Sequence, residues 1–214
     1  MRRLTTTLLF LAAASPAFAQ RAAGTYVVSR GGTEIGREEF TLDAGRARDR
    51  SGTSLTVRSS YPGAVPSGNV SALLERTPDG QLSRFQLDVE GDEGTTTFLA
   101  AGAGARVILK TIAKGSEAGR ELPGGANVVL IDENAYALFT AVADLATPAG
   151  ARLVAIYPRT GRRAQFSARR EGNAGGAARI SLTGEIAGSL TVDDAGRVSR
   201  MEFPGSGVTV TVAP

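Results

Sequence analysis

Short runs in which apolar and polar residues alternate, each closed by a turn rich in Gly, Pro, Asp or Ser, fill most of the chain after residue 20. A period of two residues suits a half-buried strand and does not suit a helix. The clearest case is Thr25-Tyr26-Val27-Val28-Ser29-Arg30, followed by Gly31-Gly32 and then Thr33 to Asp43. Gly-Gly accepts the positive φ angles that a two-residue hairpin turn requires, so the spacing predicts an antiparallel pair here. In Ser83-Phe85-Leu87-Val89 the inward residues alternate with Arg84, Gln86 and Asp88, and Ala164-Phe166-Ala168 alternates in the same way with Gln165, Ser167 and Arg169. Each of these runs places one face inward and the other in water. Leu153 to Tyr157 is apolar on both faces and is expected to lie deeper.

Turn signals at Pro62-Gly63, Pro78-Asp79-Gly80, Gly91 to Gly94, Thr160-Gly161, Gly172-Asn173, Ala187-Gly188, Asp194 to Gly196 and Gly205 to Gly207 divide the chain into about 10–12 strands. The expected fold is mainly β: a single curved antiparallel sheet, or an unclosed or flattened barrel. One segment departs from the pattern. Asp132 is a candidate N-cap, Glu133 suits a first turn, and Ala135, Leu138, Phe139, Val142 and Leu145 follow at helical spacing before Pro148 and Gly150. This predicts one amphipathic helix over about 133–146, packed on the sheet because no other large partner is available. The connection over 62–69 reads as a plain loop or a flap, and 173–177 as a loop tip.

The missing residue types exclude several chemistries. There is no His and no Cys, hence no Ser-His-Asp triad, imidazole ligand, thiolate nucleophile, structural zinc or disulfide framework. No phosphate-binding loop, dinucleotide fingerprint or Gly-x-Ser-x-Gly elbow occurs. No catalytic residue, metal site or cofactor is therefore assigned. Carboxylate chemistry stays open, because two opposed acids suffice for glycoside cleavage. The adjacent pairs have simpler explanations: Glu38 and Glu39 should face opposite ways on a strand, Asp132-Glu133 would cap the helix, and Asp193-Asp194 belongs to a turn.

The N-terminus has the three parts of a secretory leader: Met1-Arg2-Arg3, the apolar run Leu8 to Ala14, and Ala17-Phe18-Ala19 as a small-x-small cleavage site. Cleavage after Ala19 would leave roughly 195 residues, a size one β domain can have, and a net charge of about +1. Periplasmic or secreted placement follows as an expectation. No later run approaches the ~20 apolar residues of a membrane-spanning helix, and the near-neutral charge gives no case for nucleic acid.

Almost every strand candidate carries one aromatic residue. Tyr26, Phe40, Phe85, Phe98, Tyr157 and Phe166, with Leu138 and Phe139 of the helix, are either core anchors or the lining of an apolar pocket. Arg159, Arg162, Arg163, Arg169 and Arg170 fall within twelve residues. The first three, gathered by a Thr160-Gly161 turn, are either a solvated hairpin end or a contact for phosphate or carboxylate.

Gly24-Thr25-Tyr26-Val27-Val28 with Glu34-Ile35-Gly36-Arg37-Glu38 at the start, and Leu190-Thr191-Val192-Asp193 with Gly196-Arg197-Val198 and Phe203-Pro204 at the end, resemble uncharacterised exported bacterial β domains. In architecture such families resemble the Lol-type lipoprotein carriers, whose unclosed barrel surrounds helical segments and shelters acyl chains. The chain departs from the lipidated member of that group in having no Cys. The expected function is a non-catalytic protein holding a lipid or other hydrophobic ligand on the concave face, because a sheet this long with one covering helix can leave unfilled space there. The alternatives are an envelope-assembly module that binds a protein at a sheet edge, and a carboxylate-dependent polysaccharide hydrolase. Oligomeric state is not specified by any of these features.

Overall fold

The structure, a computed structural model, describes residues 21–45, 52–62, 68–172, 177–194 and 196–214. The leader lies outside this set, as do most of the 62–69 connection and of the 173–177 tip. The first eight strands are β1 (Arg21–Arg30), β2 (Thr33–Ala44), β3 (Thr53–Ser60), β4 (Val70–Arg76), β5 (Leu82–Gly91), β6 (Gly94–Ala103), β7 (Arg106–Ala113) and β8 (Ser116–Pro123). After them come β9 (Val128–Leu130), a 3₁₀ turn (Tyr136–Phe139), α1 (Thr140–Leu145), β10 (Ala151–Tyr157), β11 (Arg162–Arg170), β12 (Ala178–Gly184), β13 (Gly188–Val192), β14 (Val198–Phe203) and β15 (Val208–Val212).

The described strands form one unclosed, curved sheet in the order β8-β7-β6-β5-β4-β3-β2-β1-β15-β14-β13-β12-β11-β10-β9. Consecutive strands pair antiparallel from β1 to β8 and from β10 to β15, on the two sides of a central junction where β1 meets β15, with Tyr26 opposite Val212 and Arg30 opposite Val208. The mainly β expectation holds, and the strand number is corrected from 10–12 to fifteen. Much of the difference lies between residues 95 and 130, where β6, β7 and β8 turn through Gly104 (φ 61°) and Gly115 (φ 72°). Each is a lone glycine without a Pro, Asn or Asp beside it, a weaker turn signal than the pairs used elsewhere. Gly31 (φ 56°) and Gly32 (φ 84°) form the first hairpin as expected, both in the left-handed region that a type I′ turn needs.

β9 runs parallel to β10, with Val128 opposite Val154 and Leu130 opposite Ile156. Parallel neighbours require a crossover connection, and residues 131–150, which hold the helical segment, provide it. The expected helix over 133–146 is corrected to the 3₁₀ turn and α1, covering 136–145. Asp132 does not cap it. That residue makes a bridge with Ala135, and its Oδ1 accepts the Asn134 amide at 2.9 Å.

The helical segment fills the hollow of the sheet. Ala135, Ala137, Leu138 and Val142 are fully buried, in one core with Tyr26, Val28, Val57, Phe85, Leu87, Ile180, Leu190 and Met201. Alternation explains why the strands supply it: β2 buries Gly36, Glu38 and Phe40 while Arg37 and Glu39 face solvent. Leu153, Ala155 and Ile156 of β10 are buried, and Val154 and Tyr157 are half-buried. The two ends of the sheet approach each other where Arg120 of β8 donates to the Thr160 carbonyl of the β10–β11 turn at 3.0 Å. No helix among the described residues is long and apolar enough to cross a membrane.

Candidate functional site

Several turns meet at one end of the sheet: β1–β2, β10–β11, β12–β13 and β14–β15. Between them and the start of the helical segment lies a cleft of about 410 Å³. Its apolar wall is made by Tyr136, Phe139, Phe203, Tyr157, Ile131 and Ile186. Phe203 ends β14, where the following 3₁₀ turn (Pro204–Ser206) swings the chain away. Its ring lies 4.8 Å from Phe139 and 5.6 Å from Tyr136, centroid to centroid, at the tilted angles favoured between aromatic quadrupoles.

The polar side of the cleft is formed by Arg30, Asp132, Glu133, Glu185 and the Gly205-Ser206 backbone. Asp132 is nearly fully buried and forks with Arg159, Nε to Oδ2 at 2.7 Å and Nη2 to Oδ1 at 2.8 Å. The two charges neutralise each other, and the bidentate geometry fixes both side chains. Glu133 and Arg30 are exposed and take part in no ion pair among the described residues. Glu185 is exposed and accepts the Gln165 amide at 2.5 Å. No group of three or more acidic side chains converges as a metal site among the described residues.

Beneath the cleft, a buried carboxylate holds the helical segment in place. Glu38 of β2 is fully buried. Its Oε1 accepts the Tyr136 amide at 2.7 Å and the Tyr61 hydroxyl, and its Oε2 accepts the Ala137 amide at 2.7 Å. These amides open the 3₁₀ turn and have no partner within it, so a distant glutamate does the work expected of Asp132. Burial pushes the Glu38 carboxyl above its ordinary value, against the three donors. Burial, with Glu38 close by, raises the Tyr136 hydroxyl to about 12, and it raises those of Tyr26 and Tyr61 as well. Tyr61 reaches Glu38 by lying across Gly36, where a Cβ would stand 2.3 Å from its ring.

Of the eight residues considered for a pocket, Phe139 and Tyr157 line the cleft. Tyr26, Phe40, Phe85, Phe98, Leu138 and Phe166 are core side chains, with Tyr26 stacked on Phe40 at 4.5 Å. The three arginines do not converge. Arg159 is engaged with Asp132, Arg162 lies over the Tyr157 ring at 3.8 Å, and Arg163, its neighbour on β11, points to the other face and is exposed. Tyr136, Phe203, Ile186, Arg30, Glu133 and Glu185 are absent from the sequence-based set. All except Tyr136 stand at or beside a turn, where alternation loses its phase. Proximity to a turn at the same end of successive hairpins was the available signal.

No family model and no curated protein matches this chain. Among solved structures it is similar to the crystal structure of a DUF1089 family protein from Pseudomonas aeruginosa, at 14% identity over 96% of this chain and 98% of that chain, with a TM-score of 0.44. A likeness at that level carries no conclusion about activity.

Proposed function

We propose that this chain is an exported, non-catalytic binding protein that holds a lipid or another hydrophobic small molecule. The observation that carries the reading is the cleft of about 410 Å³, with three packed aromatic rings on one wall and charged groups along the rim. Its volume falls in the ordinary range of small-molecule sites, which are mostly apolar with a few fixed polar groups. The ligand position differs from that expected from sequence: the hollow of the sheet is occupied by the helical segment, and the cleft lies at its mouth, walled by the largely buried rings of Tyr136, Phe139 and Phe203 and the half-buried Tyr157. The test is native mass spectrometry with solvent extraction of protein purified from an envelope fraction. A bound amphiphile, lost in Phe203→Ser, is expected; an empty protein that takes up no added lipid would overturn the reading.

A second reading is strand addition by a protein partner. β8 is an edge strand exposed along seven of its eight residues, and Ile108 (50% exposed) and Ile112 (36%) lie beside it on β7. An edge strand presents main-chain groups that another strand can pair with. Replacing Gly119 with Pro would abolish capture of such a partner without affecting lipid uptake. The hydrolase reading has less support. Glu133 and Glu185 share the cleft but are solvent-exposed, whereas a glycosidase acid is kept protonated by an apolar surrounding.

A further inference from the structure

The cleft is closed behind its aromatic wall. Tyr136, Phe139 and Phe203 pack on one another there and are 9%, 5% and 8% exposed. Next to them in the chain, Ala135, Ala137 and Leu138 have no exposed surface, so not even an internal void large enough for water touches them. The Tyr136 and Ala137 amides end on the two oxygens of Glu38, the Tyr61 hydroxyl shares the first of these, and the Ser59 hydroxyl donates to the Asn134 carbonyl. An alkyl chain passing the rings would have to expel side chains from a close-packed core and break these buried hydrogen bonds. The space open to it is therefore the cleft alone, about 410 Å³. At about 30 Å³ per water-sized group, that is room for roughly a dozen non-hydrogen atoms.

We infer that the ligand is a compact amphiphile whose apolar part is about eight to ten carbons, as a short chain or a ring system of that size, and that the full chain of a long-chain lipid is not accommodated. This inference rests on the binding reading above and specifies the ligand class for the same cleft. Each methylene that enters the cleft leaves water and adds about fourfold to affinity. A methylene beyond the limit stays in water and adds nothing. Phe139 sets that limit, because its ring lines the cleft on one side and belongs to the core on the other. The polar head stays at the opening, where Arg30, Glu133 and Glu185 form the rim.

The test is isothermal titration of the protein with alkyl maltosides from hexyl to hexadecyl, each below its micellar concentration. The shared uncharged head leaves chain length as the variable. Affinity should rise about fourfold per carbon up to about ten carbons and then level off. Tyrosine fluorescence gives a second readout, because the chain has no Trp and two of its four Tyr, Tyr136 and Tyr157, line the cleft. Phe139→Ala should move the break to longer chains by about three carbons, since the cavity left by a lost ring collapses only in part. Circular dichroism establishes that this variant is folded, and Phe139→Leu, a smaller loss, should move the break in the same direction. An unbroken rise through the hexadecyl member, or a break that the Phe139 variants leave in place, overturns this inference and leaves the binding reading intact. Absence of binding by every member overturns both.

Discussion

The Glu38 carboxylate accepts the Ala137 amide at 2.7 Å across 99 residues of sequence, and the same side chain holds the Tyr136 amide and the Tyr61 hydroxyl. Replacing Glu38 with Ala strands three buried donors. Each unmade hydrogen bond to a buried group costs about 1–3 kcal/mol; allowing for partial relaxation, a loss of about 3–5 kcal/mol is expected. A fall of roughly 6–20 °C in Tm, followed by circular dichroism, is the corresponding change for a chain of this size. An unshifted melt would mean that the 3₁₀ turn is held by packing alone.

The raised Glu38 pKa gives a signed pH dependence. Its folded value exceeds the unfolded one, so its contribution is fully present below the ordinary carboxylate range and declines as pH rises through the raised value. Glu34, Asp79 and Glu202 are shifted downward and act in the opposite sense. The useful quantity is therefore the stability difference between the native protein and Glu38→Gln, from urea unfolding at several pH values. That difference should move against the native protein as pH rises from about 4 upward, and a difference independent of pH would contradict the assignment.

Arg159→Met should destabilise by about 1–3 kcal/mol, because Asp132 is left buried without its fork and Arg159 itself is partly exposed. Adding Asp132→Asn should recover part of the loss, since the amide carries no charge to strand. A double-mutant cycle by chemical denaturation reads the coupling, and simple additivity would show that the pair contributes little.

Gly36→Ala tests how Tyr61 reaches Glu38. A Cβ there would meet the Tyr61 ring at 2.3 Å and the Ser60 carbonyl at 2.7 Å, so the ring or the strand must move. A loss of about 1–3 kcal/mol is expected. The Tyr61 hydroxyl should also titrate closer to an ordinary tyrosine in ultraviolet difference spectra, a change that general loosening elsewhere would not confine to this residue.

How much of this was legible in the sequence depended on the range of the interaction. Alternation around Tyr26, Phe85 and Phe166 identifies strands because each side chain is sorted locally, inward or outward. The helical spacing of Leu138, Phe139 and Val142 finds the one helical segment for the same reason. Its cap was misassigned to Asp132, since the true partner, Glu38, lies on β2 and is brought near only by the curvature of the sheet. The cleft was missed for a related cause. Phe203, Ile186 and Arg30 become neighbours through the stacking of four turns, which no window along the chain contains. Arg159 illustrates the converse: a cluster of like charges in sequence was dispersed by its individual partners, Asp132 for one and Tyr157 for another.

Because β1 and β15 are paired at the centre of the sheet while its two outer strands, β8 and β9, follow one another in sequence, the described strands form a meander cut in the middle, with one crossover between the parallel β9 and β10. A circular permutant that opens at 124–127 and links Val212 to Arg21 would run strand by strand from one rim to the other with every pairing retained. In such a chain the contacts across the present cut become local, so it should reach the same fold, and reach it faster.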